Sequence, residues 1–208
     1  MLLYDAPLTF GEFMTHESVP LADVFREVLS FLADKDDAVL FGAQAINAYC
    51  EPPRMTADID VLSTNAVELA EQIRARLAEK FGIAVRVRQV AGGLGQRVYQ
   101  LRKPRNRHLV DVRQVSVLPA FERIERVQVA APADLAALKV VSIAARQGRE
   151  KELSDRLDLH RLLRAFPTLR AEDGAVAERL RAAGAPEATL SLWRDLTGER
   201  LELDEDDY

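Results

Sequence analysis

Cysteine is nearly absent: Cys50 stands alone in 208 residues, which excludes an internal disulfide framework and the cysteine clusters of most zinc sites. At the end of a short helix it reads as a packed thiol rather than a nucleophile. No stretch approaches the ~18 consecutive apolar residues of a membrane span, and the opening residues MLLYDAPLTFGEFMTH lack the basic region and long apolar run of a secretory signal. These absences lead us to expect a cytoplasmic protein with no membrane partner. There is no excess of positive charge either. A net charge of -5 argues against coating nucleic acid through overall charge, while leaving room for a local basic groove. His16, His108 and His160 are scattered without metal-ligand spacing, and Ser, His and Asp are nowhere arranged as a triad. Internal repeats and low-complexity linkers are also missing.

What is present is an ordinary globular composition, 48% hydrophobic and 29% charged, enough for a real core. LADVFREVLSFLADK (21–35) repeats its apolar residues at helical spacing. AVLF (38–41) then reads as a short buried strand that runs through Gly42 into a helix, AQAINAYC, which EPPR (51–54) terminates because consecutive prolines cannot continue it. DIDVLS (58–63) alternates as a strand does, and the segment after it carries Val67, Ala70, Ile73 and Leu77 on a helical repeat. IAVRVRQV (83–90), RVYQLRK (97–103) and HLVDVRQV (108–115) are alternating, β-branched segments separated by AGGLG and PRNR turns. IERVQVA (124–130) reads as one more strand. Pro132 and Asp134 then announce helix, and the chain stays helical almost to an acidic end, ELDEDDY (202–208). That end reads as a solvated tail or as a contact for a basic partner.

The residues that invite chemistry are acidic. In RMTADIDVL (54–62), Asp58 and Asp60 project from one strand face, roughly 7 Å apart at the backbone. Ionised carboxylates are costly to desolvate without partners, and a pair at this separation can converge on one or two magnesium ions. D-x-D also occurs by chance, on exposed edge strands. Asp111, inside LVDVR, is a third mid-strand carboxylate; alone it fits a surface ion pair equally well, but with the pair on a neighbouring strand a three-carboxylate metal site, Asp58, Asp60 and Asp111, is the better reading. Gly42, Ala43 and Gln44 form a strand-to-helix turn whose backbone N–H groups can approach phosphate, or simply a turn. Lys139 and Arg146, seven apart, share a helical face that can meet phosphate or merely snorkel. Asp155 and Asp158, three apart, can orient those cations or sit on the surface. Between residues 86 and 113 the chain carries a net charge of +7, suited to phosphate contacts or to discouraging edge aggregation.

Taken together, the strand, FGAQA, the helix, RMTADID and a later strand aspartate resemble the nucleotidyltransferase fold associated with DNA polymerase beta. The R-x-T-x-D-I-D form, here Arg54, Thr56, Asp58 and Asp60, is similar to the AbiEii-type toxins of bacterial abortive-infection and type IV toxin-antitoxin systems. DLAALKVVSIAARQGREKELSDRLDLHRLL (134–163) continues the likeness with its spaced Lys, Arg and paired Asp. Two positions depart from the pattern. Ala43 stands where a second Gly or Ser is usual, and fourteen residues separate it from Asp58.

The resemblance implies an α/β (α+β) nucleotidyltransferase fold: a small mixed sheet flanked by helices over residues 1–131, then a helical region over 132–208. It implies a magnesium-dependent transferase, two ions on Asp58, Asp60 and Asp111, acting on a nucleoside triphosphate. Lys139 joins the three aspartates as catalytic, Gly42, Ala43, Gln44, Arg54, Thr56, Lys139 and Arg146 grip the nucleotide, and Asp155 and Asp158 support them. The acceptor would be an RNA 3′ end, such as that of a tRNA, or a protein hydroxyl, and a cognate antitoxin would restrain the chain. The alternative is a catalytically weak or inactive module of this fold that binds nucleotide, RNA or a partner protein. A dehalogenase-like phosphatase or a glycosyltransferase fits less well, because PRMTA is not the strongly apolar strand that precedes their D-x-D.

Overall fold

The computed structural model describes residues 19–199; the acidic tail and His16 lie outside them. The chain divides between Ala131 and Pro132 into two compact units.

The first unit is built on a seven-stranded mixed sheet. Helix α1 (Leu21–Leu32) is followed by β1 (Ala38–Phe41), α2 (Gly42–Asn47) and β2 (Ile59–Ser63), then α3 (Ala66–Phe81). Strands β3 (Val85–Val90), β4 (Gly95–Gln100) and β5 (Arg107–Gln114) form the expected antiparallel run, and β6 (Phe121–Ile124) and β7 (Val127–Ala130) close the unit. The spatial order is β3-β4-β5-β2-β1-β7-β6. Within it β2 runs parallel to β5, and β1 parallel to β7.

Helices α1 and α3 cover one face. Ala66, Leu69, Ala70, Ile73 and Leu77 of α3 are buried, and the helix packs on β2, β3, β4 and β5. Each such leucine or isoleucine contributes about 1.5–3 kcal/mol relative to exposure. Beneath them the sheet offers Ile59, Val61, Val98, Val110 and Val112, all fully buried. The α1 stripe of Val24, Phe25, Val28, Leu29 and Leu32 is buried likewise, and Glu27 beside it is ion-paired with Arg76 of α3.

Two sequence expectations need correction. The first helix stops at Leu32 rather than Lys35; the Ala33 N–H closes the last turn on the Leu29 carbonyl. The single strand expected over 124–130 is a hairpin, in which β6 and β7 pair antiparallel. Glu125 and Arg126 make its turn with φ of 47° and 74°, the two left-handed residues of a type I′ turn. That turn normally announces itself with Asn-Gly, so a Glu-Arg pair conceals it.

The second unit is helical: α4 (Pro132–Ala145), α5 (Glu150–Ala165), a 3₁₀ turn (Pro167–Arg170), α6 (Ala175–Ala182) and α7 (Glu187–Gly198). Its core gathers Leu135, Val140, Ile143, Leu159, Leu163, Leu180 and Trp193, all fully buried. The Trp193 indole N–H donates to the Glu172 carbonyl at 3.0 Å, satisfying the one polar group of that ring. Among the described residues no helix is long and apolar enough to cross a membrane.

Candidate active site

The sheet residues that alternate with the buried Ile59, Val61, Val110 and Val112 assemble the acidic cluster. Register partners run Arg88, Arg97, Asp111, Asp60, Phe41 across β3, β4, β5, β2 and β1. The parallel pairing of β2 with β5 therefore sets Asp60 directly beside Asp111, although they are 51 positions apart in sequence. Asp58 lies in the bend just before β2.

His108 stands between Asp58 and Asp111. Its Nδ1 is 3.5 Å from Asp58 Oδ2 and its Nε2 is 3.4 Å from Asp111 Oδ1. One ligand atom from each of Asp58, His108 and Asp111 falls within 4.8 Å of the others. His108 has no ligand spacing in the sequence, and the expectation that it stands apart from any metal-ligating group is corrected by this grouping. Positions i and i+3 of a regular strand face opposite ways. Here Val98 pairs with Val110 while Tyr99 pairs with His108, so Leu109 is an extra, unpaired residue. That bulge brings His108 round to the face of Asp111, and Leu109 and Val110 are both buried in succession. Two adjacent apolar residues in a strand that otherwise alternates are the only written trace of it.

Gly42 adjoins Asp60. Its φ is +74°, and a Cβ built on it would stand 2.2 Å from Asp60 Oδ2 and 2.9 Å from Asp60 Cβ. Only a glycine allows this approach without displacement. The loop before Asp58 is tied to α2 by side chains. Asn47 Nδ2 donates to the Arg54 carbonyl at 2.7 Å, the Arg54 N–H donates to Asn47 Oδ1 at 3.1 Å, and the Thr56 hydroxyl donates to Gln44 Oε1 at 3.1 Å. Gln44 and Asn47 are buried, so the side chain of Gln44 braces Thr56, and any phosphate contact from it falls to its backbone N–H. Asn47 drew no notice in the sequence.

Arg97 was counted only as part of the basic stretch. Its Nε and Nη2 each lie 2.9 Å from an oxygen of Asp111, a two-pronged pair of the stronger kind. The hydrogen bond to Asp111 raises its pKa, burial opposes this, and the charges of Asp111, Asp58 and Asp60 raise it further. Other arginines of the stretch have separate tasks. Arg107 Nη1 donates to the Val19 carbonyl at 3.0 Å, its pKa lowered by burial, and Arg113 lies 4.9 Å over the Phe41 ring. Arg86, Arg88, Lys103 and Arg105 are exposed.

In the second unit the remaining candidates form one network. Lys139 Nζ lies 2.9 Å from Asp155 Oδ1 and 2.7 Å from Asp158 Oδ2, and Arg146 Nη1 pairs with Asp155 Oδ2. Asp155 and Asp158 are buried. An ammonium has three donors, two of which these aspartates engage.

Two carboxylates and an imidazole within ligand reach, with a third carboxylate alongside, form a donor set that fits a divalent cation. The chain matches the family described as nucleotidyl transferase AbiEii toxin, type IV TA system, over residues 23–208. It belongs to the AbiEii family. Solved structures share the fold at low identity. A putative nucleotidyltransferase from H. pylori is 17% identical with a TM-score of 0.60, over 89% of this chain and 82% of that one. JHP933 from Helicobacter pylori is 16% identical with a TM-score of 0.56, over 90% and 80%. The Megavirus polyadenylate synthase is 17% identical with a TM-score of 0.56 over 71% of this chain, which spans only 32% of the length of that enzyme. No curated protein matches the chain in sequence. The AbiEii membership makes this chain a transferase of the nucleotidyl class.

Proposed function

We propose that this AbiEii protein is a magnesium-dependent nucleotidyltransferase that moves a nucleoside monophosphate from a nucleoside triphosphate such as ATP to a hydroxyl acceptor. The acceptor is an RNA 3′ end, such as that of a tRNA, or a protein hydroxyl. The chain acts in the cytoplasm as the toxin of a pair, restrained by a cognate antitoxin. The observation that carries the reading is the side-by-side pairing of Asp60 with Asp111, with His108 standing between Asp111 and Asp58.

In this reading Asp58, Asp60 and Asp111 would hold the metal, two ions in all. Magnesium bound there would supply Lewis-acid stabilisation of the charge that develops at the α-phosphate. Asp111 orients the acceptor hydroxyl and favours loss of its proton. The hydroxyl oxygen bonds to the α-phosphorus while the bond to the bridging oxygen breaks, and pyrophosphate leaves. The Gly42, Ala43 and Gln44 backbone, with Arg54 and Thr56, grips the nucleotide. Lys139 and Arg146, steadied by Asp155 and Asp158, neutralise the triphosphate. The experiment is incubation with each labelled nucleoside triphosphate, magnesium and either total RNA or cell protein, beside an Asp58→Ala, Asp60→Ala double variant. Label on one acceptor class, absent with the variant, supports the proposal; label that persists with the variant removes these aspartates from the chemistry.

The second reading, a binding module of weak or no catalytic power, draws on Ala43 and on the engagement of both Asp111 oxygens by Arg97. Calorimetry that finds nucleotide binding without turnover would favour it.

A further inference from the structure

The acidic cluster contains a cation of its own. Arg97 reaches from β4 to the partner position on β5 and engages both oxygens of Asp111. Asp111 Oδ1, one of the two oxygens it engages, is also the one 3.4 Å from His108 Nε2, a buried nitrogen without a hydrogen-bond partner. The side chain of Arg97 is 34% exposed and that of Asp111 16%, so the guanidinium sits at the mouth of the cluster rather than deep within it. Across the strand pair it faces Arg88, which is exposed.

A guanidinium and a divalent ion that share one carboxylate repel, and in a partly buried site that repulsion is only partly screened. The pair is favourable while the cluster is metal-free, because it relieves three neighbouring carboxylates of mutual repulsion. It turns into a competitor once a metal arrives. We propose that Arg97 is a tethered counter-ion, which occupies Asp111 in the metal-free protein and must release it for a divalent ion to bind. The inference rests on the metal-site reading above. It adds that the apparent metal affinity is set by a competition within the chain, the binding-competent fraction being that in which Arg97 is released.

The test uses the full-length chain without nucleotide, titrated with Mn²⁺ and followed by the electron paramagnetic resonance signal of the free ion. Arg97→Gln, which keeps much of the length and polarity but removes the charge, is expected to bind Mn²⁺ about ten-fold tighter or better than wild type. Asp111→Asn is expected to lose that site. Unchanged or weaker binding by a folded Arg97→Gln protein, with binding still lost in Asp111→Asn, overturns the counter-ion role and leaves the metal site standing. Equal binding by wild type and Asp111→Asn overturns both. A measurement on wild type avoids dependence on a variant: the Arg97 Nε–H resonance, assigned by its loss in Arg97→Lys, should shift when Mg²⁺ is added. A resonance unmoved at saturating Mg²⁺ refutes release.

Discussion

Replacing Gly42 with alanine probes the contact on which the site is most tightly built. Two costs separate cleanly. The first is conformational: at φ +74° an L-residue is strained, at about 1 kcal/mol. The second is steric. The added Cβ would lie 2.2, 2.8 and 2.9 Å from Oδ2, Cγ and Cβ of Asp60, where carbon contacts settle near 3.5–4.0 Å. Rotation of the carboxylate relieves the first two contacts but not the third, so β2 itself must move. Overpacking of this kind costs about 1–3 kcal/mol, and the sum is about 2–4 kcal/mol, or roughly 10 °C in Tm for a unit of this size. Gly82 provides the control. It has φ +62° at the end of α3, and nothing lies within 4 Å of a Cβ there, so Gly82→Ala incurs the conformational cost alone. Thermal melts should therefore separate the two variants by about 1–3 kcal/mol, and Mn²⁺ titration should show weakened binding only in Gly42→Ala. Equal melting temperatures and equal metal affinity would refute the claim that Gly42 exists to admit Asp60.

The buried network of the second unit yields a double-variant test. Asp158→Leu leaves the Lys139 ammonium with only one of its two aspartates and should cost about 3–5 kcal/mol in urea unfolding, whereas the Lys139→Met, Asp158→Leu pair should cost clearly less than the two single changes added together. Trp193, the sole tryptophan, is buried in that unit, so its emission should follow the unfolding of the second unit. Asn47→Ala removes two hydrogen bonds to the Arg54 backbone and should lower stability by about 1–3 kcal/mol, with faster tryptic cleavage at Arg54 as the local readout.

Much of the fold was legible because its periodicities are long and unbroken: α1 and α3 carry clean apolar stripes, and β3 to β5 alternate between recognisable turns. The acidic residues were legible for a physical reason too, since a carboxylate in mid-strand needs a partner. What stayed hidden depends on pairing. Residue order does not reveal that β2 lies parallel to β5, so the adjacency of Asp60 and Asp111 was an expectation about neighbouring strands, not a reading of register. His108 was invisible because one bulged residue, Leu109, reverses the parity on which face assignments rest. The hairpin at Glu125 and Arg126 was hidden by turn residues that adopt left-handed geometry without the usual glycine. Arg97 looked like one positive charge among eight, and only the cross-strand register singles it out.

Whether the acidic cluster transfers a nucleotide or a phosphate is decided by supplying the protein, divalent metal and acceptor with a nucleoside triphosphate labelled either at the α- or at the γ-phosphorus. The α-label should move to the acceptor, the γ-label should leave in pyrophosphate, and both events should stop in the Asp58→Ala, Asp60→Ala variant. A γ-label found on the acceptor, or α-label transfer undiminished in that variant, would rule out nucleotidyl transfer by these aspartates.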